Sequence, residues 1–187
     1  MEKIIIDNGK EFNFGKTSKE YENIKYEVVA AESLNYPENS FDVITACQCF
    51  WYFDPNIIVP KIRSMLKPGG IFLKVYMSYM KEEPITGDSN HLVKSINDSW
   101  GGASSSIKDL TTHYFDHPQM ETMIVDLPFT RATWHGRMLA SHGVMASMTD
   151  EQIKRFDQEH RAMLEEKYPK EFTVKHKIFL TWYRITE

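Results

Sequence analysis

Apolar positions along this chain recur with two periods, and the switch between them marks the elements. Phe41-Asp42-Val43-Ile44-Thr45-Ala46-Cys47 is short, partly β-branched and almost continuously apolar. That pattern predicts a strand covered on both faces, as in a parallel sheet. Next, Asp54 can cap a helix that Pro55 opens, and Ile57, Ile58, Lys61, Ile62, Met65 and Leu66 recur at helical spacing. Lys67-Pro68-Gly69-Gly70 stops that helix, and residues 71–76 follow directly as a strand. Strand, helix, Gly-Gly turn and strand in that order make a βαβ unit with a right-handed crossover.

The flanks are read by the same rules. Residues 3–6 predict a strand stub and residues 13–21 a polar segment with a short helix, so residues 1–22 form an N-terminal arm. Residues 26–30 are bounded by Asn23 and by Asn35-Tyr36-Pro37 and predict a strand. Beyond Met77 the pattern turns polar and irregular, with a helix over residues 89–100, a loose Gly/Ser loop over 101–106 and a helical turn near 108–114. Residues 77–118 therefore form an insertion of the kind that covers ligands. A strand over 121–128, a helix over 133–141, a longer helix over 149–168 opened by a Thr149-x-x-Gln152 capping box, and a last strand over 172–186 complete the chain. The last two strands should pair antiparallel and make the sheet mixed.

Length and charge narrow what such a domain does. The chain has 187 residues, enough for one domain, 1–187, with a single core. Its 22 Lys+Arg against 26 Asp+Glu give a formal net charge of -4, so no basic surplus exists to neutralise a phosphate backbone, and nucleic acid is not the expected partner. No apolar run approaches the roughly 18 residues that a membrane span needs. The Met-Glu-Lys start lacks a secretory apolar region, and a cytoplasmic location is expected. Cys47 and Cys49 stand one residue apart, too close to staple a fold, and are read as reduced, buried thiols.

Residues 31–44, Ala-Glu-Ser-Leu-Asn-Tyr-Pro-Glu-Asn-Ser-Phe-Asp-Val-Ile, followed by Leu66-Lys67-Pro68-Gly69-Gly70, resemble the later motifs of class I S-adenosylmethionine-dependent methyltransferases, the type 11 group above all. Cys47-Gln48-Cys49-Phe50-Trp51-Tyr52-Phe53-Asp54, together with Pro128-Phe129-Thr130-Arg131 and Trp134-x-Gly136-Arg137, looks like a subgroup acting on small molecules. The resemblance implies an α/β, Rossmann-like sheet with an antiparallel C-terminal hairpin and a helical insertion after the fifth family strand, with S-adenosylmethionine lying across the carboxyl ends of the central strands. In that scheme residues 26–30, 41–47 and 71–76 resemble the third, fourth and fifth strands. Ala31, Glu32 and Ser33 would lie near the adenine, and Gln48 and Cys49 would face the methionine part of the donor.

The sequence also departs from that family. Ser18-Lys19-Glu20-Tyr21 runs almost directly into Asn23-Ile24-Lys25-Tyr26, where the family places a strand, a Gly-rich turn, a helix and an acidic-ended second strand. At about 30 residues per βα unit, roughly 60 to 70 residues of the pattern are missing there. The glycines that let a backbone approach the donor are missing with them, so the donor site is expected to be incomplete and methyl transfer weak or lost. The family's first strand lies beside its fourth. Without it the 41–47 strand keeps an open edge, to be filled by the 3–6 stub, by a shifted 26–30 strand or by a second chain in a homodimer.

Methyl transfer from a sulfonium is an in-line displacement that needs positioning and exclusion of water more than a fixed catalytic set. A general base helps only where the acceptor carries a proton, and His135 and Tyr52 are the candidates. The alternative is that His135 is a surface helix residue and that Tyr52 packs on Phe50, Trp51 and Phe53. The aromatic run suggests an acceptor pocket from Phe50, Trp51 and Tyr52, closed from above by Trp134 and Arg137, which share a helical face. His113 and His117 have the spacing of a two-ligand metal face but no evident third ligand, so no metal is assigned. A noncatalytic binding module remains the competing reading.

Overall fold

The computed structural model of the chain describes residues 4–6, 10–12, 25, 27–101 and 112–185. Ile4–Ile6 (β1) and Lys10–Phe12 (β2) pair antiparallel as a separate ribbon. The main sheet has four strands: Phe41–Cys47 (β3), Leu66–Tyr79 (β4), Gln119–Thr130 (β5) and Glu171–Arg184 (β6), in the spatial order β3-β4-β6-β5. β3 and β4 are parallel, whereas β6 runs antiparallel to both β4 and β5. The mixed sheet and the antiparallel terminal pair are as the sequence predicts. The two terminal strands are not joined by a tight turn, because two helices stand between them.

The crossover from β3 to β4 is the helix Pro55–Met65 (α1). The Asp54 side chain accepts a hydrogen bond from the Asn56 backbone N–H at 2.9 Å, which satisfies one of the free donors of the first turn. Ile58, Ile62 and Met65 are buried, one turn apart. Gly69 turns the chain with φ 80°, and at Gly70 a Cβ would stand 2.8 Å from the Lys67 carbonyl, so the backbone closes up only without a side chain there. The parallel register then resumes at Val43 opposite Ile71.

Pro84–Ile96 (α2), Arg131–Leu139 (α3) and Asp150–Lys167 (α4) form a helical cap. α2 starts five residues before the polar pattern suggests, with Pro84 in its first turn. α4 opens as predicted: Thr149 accepts from the Gln152 N–H, and the Gln152 side chain accepts from the Thr149 N–H. Its charged residues form a solvated face, and Phe156, His160 and Leu164 make a buried stripe beneath them.

Two cores flank the sheet. Phe72, Tyr183 and Ile185 pack with Phe50, Ile58, Ile62 and Phe115 under α1. Val174 packs with Trp134, Met138, Phe156 and Val93 under the cap. Val174 and Tyr183 are an odd number of residues apart in one unbroken strand, so these cores lie on opposite faces.

Several expectations are corrected. Residues 27–30 join no ladder, and Val28 and Val29 are exposed, because no neighbouring strand among the described residues offers their amides a partner. Of the 3–6 stub, residues 4–6 pair with β2 and not with β3. β3 is not covered on both faces: Val43 is 51% exposed and Thr45 and Cys47 are exposed beside it, so Cys47 is not a buried thiol. Among the described residues only β4 pairs with β3. Tyr26, residues 13–21 and most of the 101–111 stretch lie outside the described residues.

Candidate functional site

A cleft of about 550 Å³ opens at the carboxyl ends of the two parallel strands. Three structures build it. The chain leaves β3 through Gln48 and a short turn, Phe50–Tyr52, which places Gln48, Trp51 and Tyr52 on one wall. The last four residues of β4, Tyr76 to Tyr79, form the floor. Trp100, Arg137 and residues 140–143, from the ends of α2 and α3, form the far wall.

Each wall is held from behind. Gln48 has φ 59°, a left-handed conformation in which its backbone N–H donates to the Val75 carbonyl at 3.0 Å and its Nε2 donates to the Met77 carbonyl at 2.5 Å. Gln48 Oε1 is buried and accepts no hydrogen bond, which is costly unless a ligand or water completes it. Tyr79 donates to Asn90 Oδ1 at 3.2 Å and packs edge-on against Trp134, and burial raises its pKa, so its hydroxyl keeps its proton. The Arg137 guanidinium stands 5.6 Å above the Tyr79 ring. Asn97 Nδ2 donates to the Gly143 carbonyl at 3.3 Å and ties the loop after α3 to the end of α2.

The residues singled out in the sequence separate into three groups. Gln48, Trp51, Tyr52 and Arg137 line the cleft together. Phe50 and Trp134 do not: Phe50 lies in the core under α1, and Trp134, 0% exposed, donates from Nε1 to Ser89 Oγ at 3.0 Å in the cap core. Trp134 and Arg137 both meet the Tyr79 ring, the indole edge-on at 5.7 Å and the guanidinium above it at 5.6 Å, but of the two only Arg137 lines the cleft. Cys49 packs beside Phe50 and lines a separate water-sized hollow.

His135 is neither a surface residue nor a cleft residue. It is 2% exposed and bonded to His160 and Asp157, out of reach of anything in the cleft. Tyr52, 62% exposed, stands at the rim with its ring tilted against that of Trp51, 5.3 Å between centres. Ala31, Glu32 and Ser33 form a short turn against α1, and Glu32 Oε1 accepts from the Asp54 N–H at 2.9 Å. His113 Nδ1 lies 3.1 Å from the Tyr183 hydroxyl, which gives that ring a structural partner. Tyr76, Tyr79, Trp100 and Gly143 were not anticipated. The aromatic Tyr-Met-Ser-Tyr continuation of the 71–76 strand was the signal for the first two.

The donor named by the resemblance has a methionine end, a ribose and an adenine. Gln48 Oε1 fits the methionine ammonium, which donates hydrogen bonds. For the ribose the described residues present no glycine turn and no strand-end carboxylate beside the cleft, and Glu32 is already engaged with Asp54. The described residues therefore fit one end of the donor and not the whole of it.

Comparisons with known proteins agree with this architecture. A family profile described as a methyltransferase domain, type 11, matches residues 6–73. The ubiquinone/menaquinone biosynthesis C-methyltransferase of Erwinia tasmaniensis is 29% identical over 136 residues, taking in 64% of this chain and 52% of that protein. The chain thus spans about half the length of the curated relative it matches. The structure of a protein assigned as a type II methyltransferase of Anaeromyxobacter dehalogenans superposes with a TM-score of 0.61 at 16% identity, over 89% of this chain and 74% of that one. A protein assigned as a methyltransferase of an antibiotic biosynthesis pathway in Anabaena variabilis gives 0.50 at 13% identity, over 86% and 74%. At those identities the two structures speak to fold alone. Over residues 6–73 the chain matches a methyltransferase domain profile, and its mixed sheet superposes on that of a solved methyltransferase.

Proposed function

We propose that this chain is the acceptor side of a methyltransferase that takes a small molecule, with a donor site too incomplete for ordinary methyl transfer by one chain. The observation that carries this reading is the cleft at the ends of β3 and β4: its acceptor wall is built and braced, while among the described residues the only donor-side group with unmet hydrogen bonding is Gln48 Oε1. The junction at residues 21–26 supports it, since the sequence there passes over the glycine turn that approaches a nucleoside. In the cleft the chain's own residues position an acceptor against aromatic walls and exclude water from one side of it. Free thiols, one of them exposed, agree with a reducing cytoplasm.

Calorimetric titration with S-adenosylmethionine tests the proposal. No heat at millimolar donor is the expected result. Saturable micromolar binding by the single chain overturns it and restores a complete enzyme.

A specific observation favours a homodimer. Among the described residues the outer edge of β3 pairs with no strand and stands beside exposed Val43, a template for a second copy. Light scattering behind a sizing column should show twice the chain mass, and a monodisperse monomer at tens of micromolar chain rules this assembly out. Methylation that rises more steeply than first order in protein would indicate that two chains rebuild the donor site.

A further inference from the structure

The cleft has a charge that no described residue lining it balances. Among the described residues that line it, Arg137 carries the only permanent charge, and no aspartate or glutamate stands with it. Elsewhere on the described surface several such groups find carboxylates or carbonyls: Arg155 pairs with Glu159, Arg161 with Asp157 and Lys175 with Asp126, and Arg131 and Arg184 donate to the Tyr168 and Gly69 carbonyls. Arg137 has instead only the face of Tyr79 at 5.6 Å, and it is half-buried. A ring face takes up one side of a guanidinium and leaves its in-plane N–H donors unmatched. Those donors form a planar fork that suits a carboxylate.

The rest of the lining is aromatic. Trp51, Tyr52, Tyr76, Tyr79 and Trp100 surround the same space, and Trp51 stands with its ring centre 5.3 Å from Tyr52 and 5.6 Å from Tyr76. Rings held at such distances by their neighbours present flat, rigid surfaces, and another ring meets them at small entropic cost. An aliphatic anion satisfies the guanidinium but not these walls, and a neutral aromatic does the reverse. Resting on the acceptor-cleft reading, we propose that the cleft binds a planar aromatic carboxylate, whose ring lies among Trp51, Tyr76 and Trp100 and whose carboxylate accepts hydrogen bonds from Arg137. The cleft, at about 550 Å³, holds such a molecule with room beside Gln48 for a second group.

The experiment is a tryptophan-fluorescence and calorimetric titration of the whole chain with three probes: 4-hydroxybenzoate, its neutral methyl ester, and cyclohexanecarboxylate, which keeps the charge without the ring. The acid should bind saturably and at least about tenfold more tightly than either control, the range of a charge-assisted pair. In Arg137→Met the acid should fall to the affinity of the ester while the ester is unchanged, and Arg137→Lys should recover only part of the loss; circular dichroism confirms that both fold. Equal affinity for acid and ester, or an unchanged acid affinity in Arg137→Met, overturns the anion assignment while the acceptor cleft itself stands. Absence of binding by all three probes overturns both.

Discussion

His135 and His160 face each other through their Nδ1 atoms at 2.8 Å, inside the cap core. Two imidazoles at that distance share one proton, so their bond fixes the state of both. His135 Nε2 lies 2.8 Å from Asp157 Oδ1, and a carboxylate only accepts, so Nε2 carries a hydrogen. With His135 neutral, its Nδ1 accepts from the Nδ1–H of His160. His160 Nε2, 2.9 Å from Ser89 Oγ, is then left to accept the Ser89 hydroxyl proton, in competition with the Ile85 carbonyl 2.7 Å away. Trp134 Nε1 donates to the same oxygen.

This chain of bonds makes stability depend on acid. Burial, reinforced by the nearby His135 and Arg161 charges, pushes the His160 pKa down to about 3, and burial also lowers that of His135 against the pull of Asp157. In the unfolded chain both histidines take up a proton near their ordinary 6.5. The folded state resists, so its advantage is complete above that value and shrinks as pH falls from there toward about 3. We expect the unfolding free energy, and with it the Tm, to fall steadily from pH 6.5 to pH 4, by about 1.4 kcal/mol per pH unit for His160 alone. In His160→Leu that slope should lose one proton's worth. A Tm independent of pH over that range contradicts the assigned protonation.

Ser89 is the inner end of the chain and 0% exposed. Ser89→Ala removes one hydroxyl but strands two buried groups, Trp134 Nε1 and His160 Nε2, and should cost about 1–3 kcal/mol in urea unfolding. Ser89→Ala in a His160→Leu background should cost less, since one of those groups is gone; equal losses in both backgrounds would show that the two do not interact.

Gly143 sets the position of a cleft wall. A Cβ there would stand 2.7 Å from Trp100 Nε1 and 2.8 Å from its Cε2, and a ring can swing where a backbone cannot. Gly143→Ala should therefore cost little stability, shift the tryptophan emission and weaken aromatic-probe binding. Unchanged emission and affinity would mean that Trp100 does not form the wall.

Cys47 and Cys49 should differ as thiols. Cys47 is exposed on the open face of β3, and Cys49 packs beside Phe50. One thiol should be labelled rapidly by a disulfide reagent and the second slowly until denaturant is added, as peptide mapping can verify. If copies of the chain associate through β3, dilution should speed Cys47 labelling.

Local chemistry foretold most of the elements. β3 has the predicted bounds, the Asp54 and Thr149 caps form as drawn, and Gly69-Gly70 turns the chain where the sequence places the turn. These depend on short-range geometry, which neighbouring residues specify completely. The failures were of partnership: Val28-Val29-Ala30 has strand-like residues but no strand to pair with among the described residues, and His160 sits among charged residues yet faces the core.

By itself, then, the sequence determined the βαβ unit, the mixed terminal strands and the likeness to methyltransferases, because periodicity, capping and motif spacing are properties of the chain read in order. Tertiary structure decided which aromatics meet. It sent Phe50 and Trp134 into cores on opposite faces of the sheet, brought Trp51, Tyr79, Trp100 and Arg137 from four separate segments to one cleft, and buried His135 against His160. The physical reason is that a side chain's surroundings are set by the faces of the elements packed against it, and those neighbours lie far away in the chain.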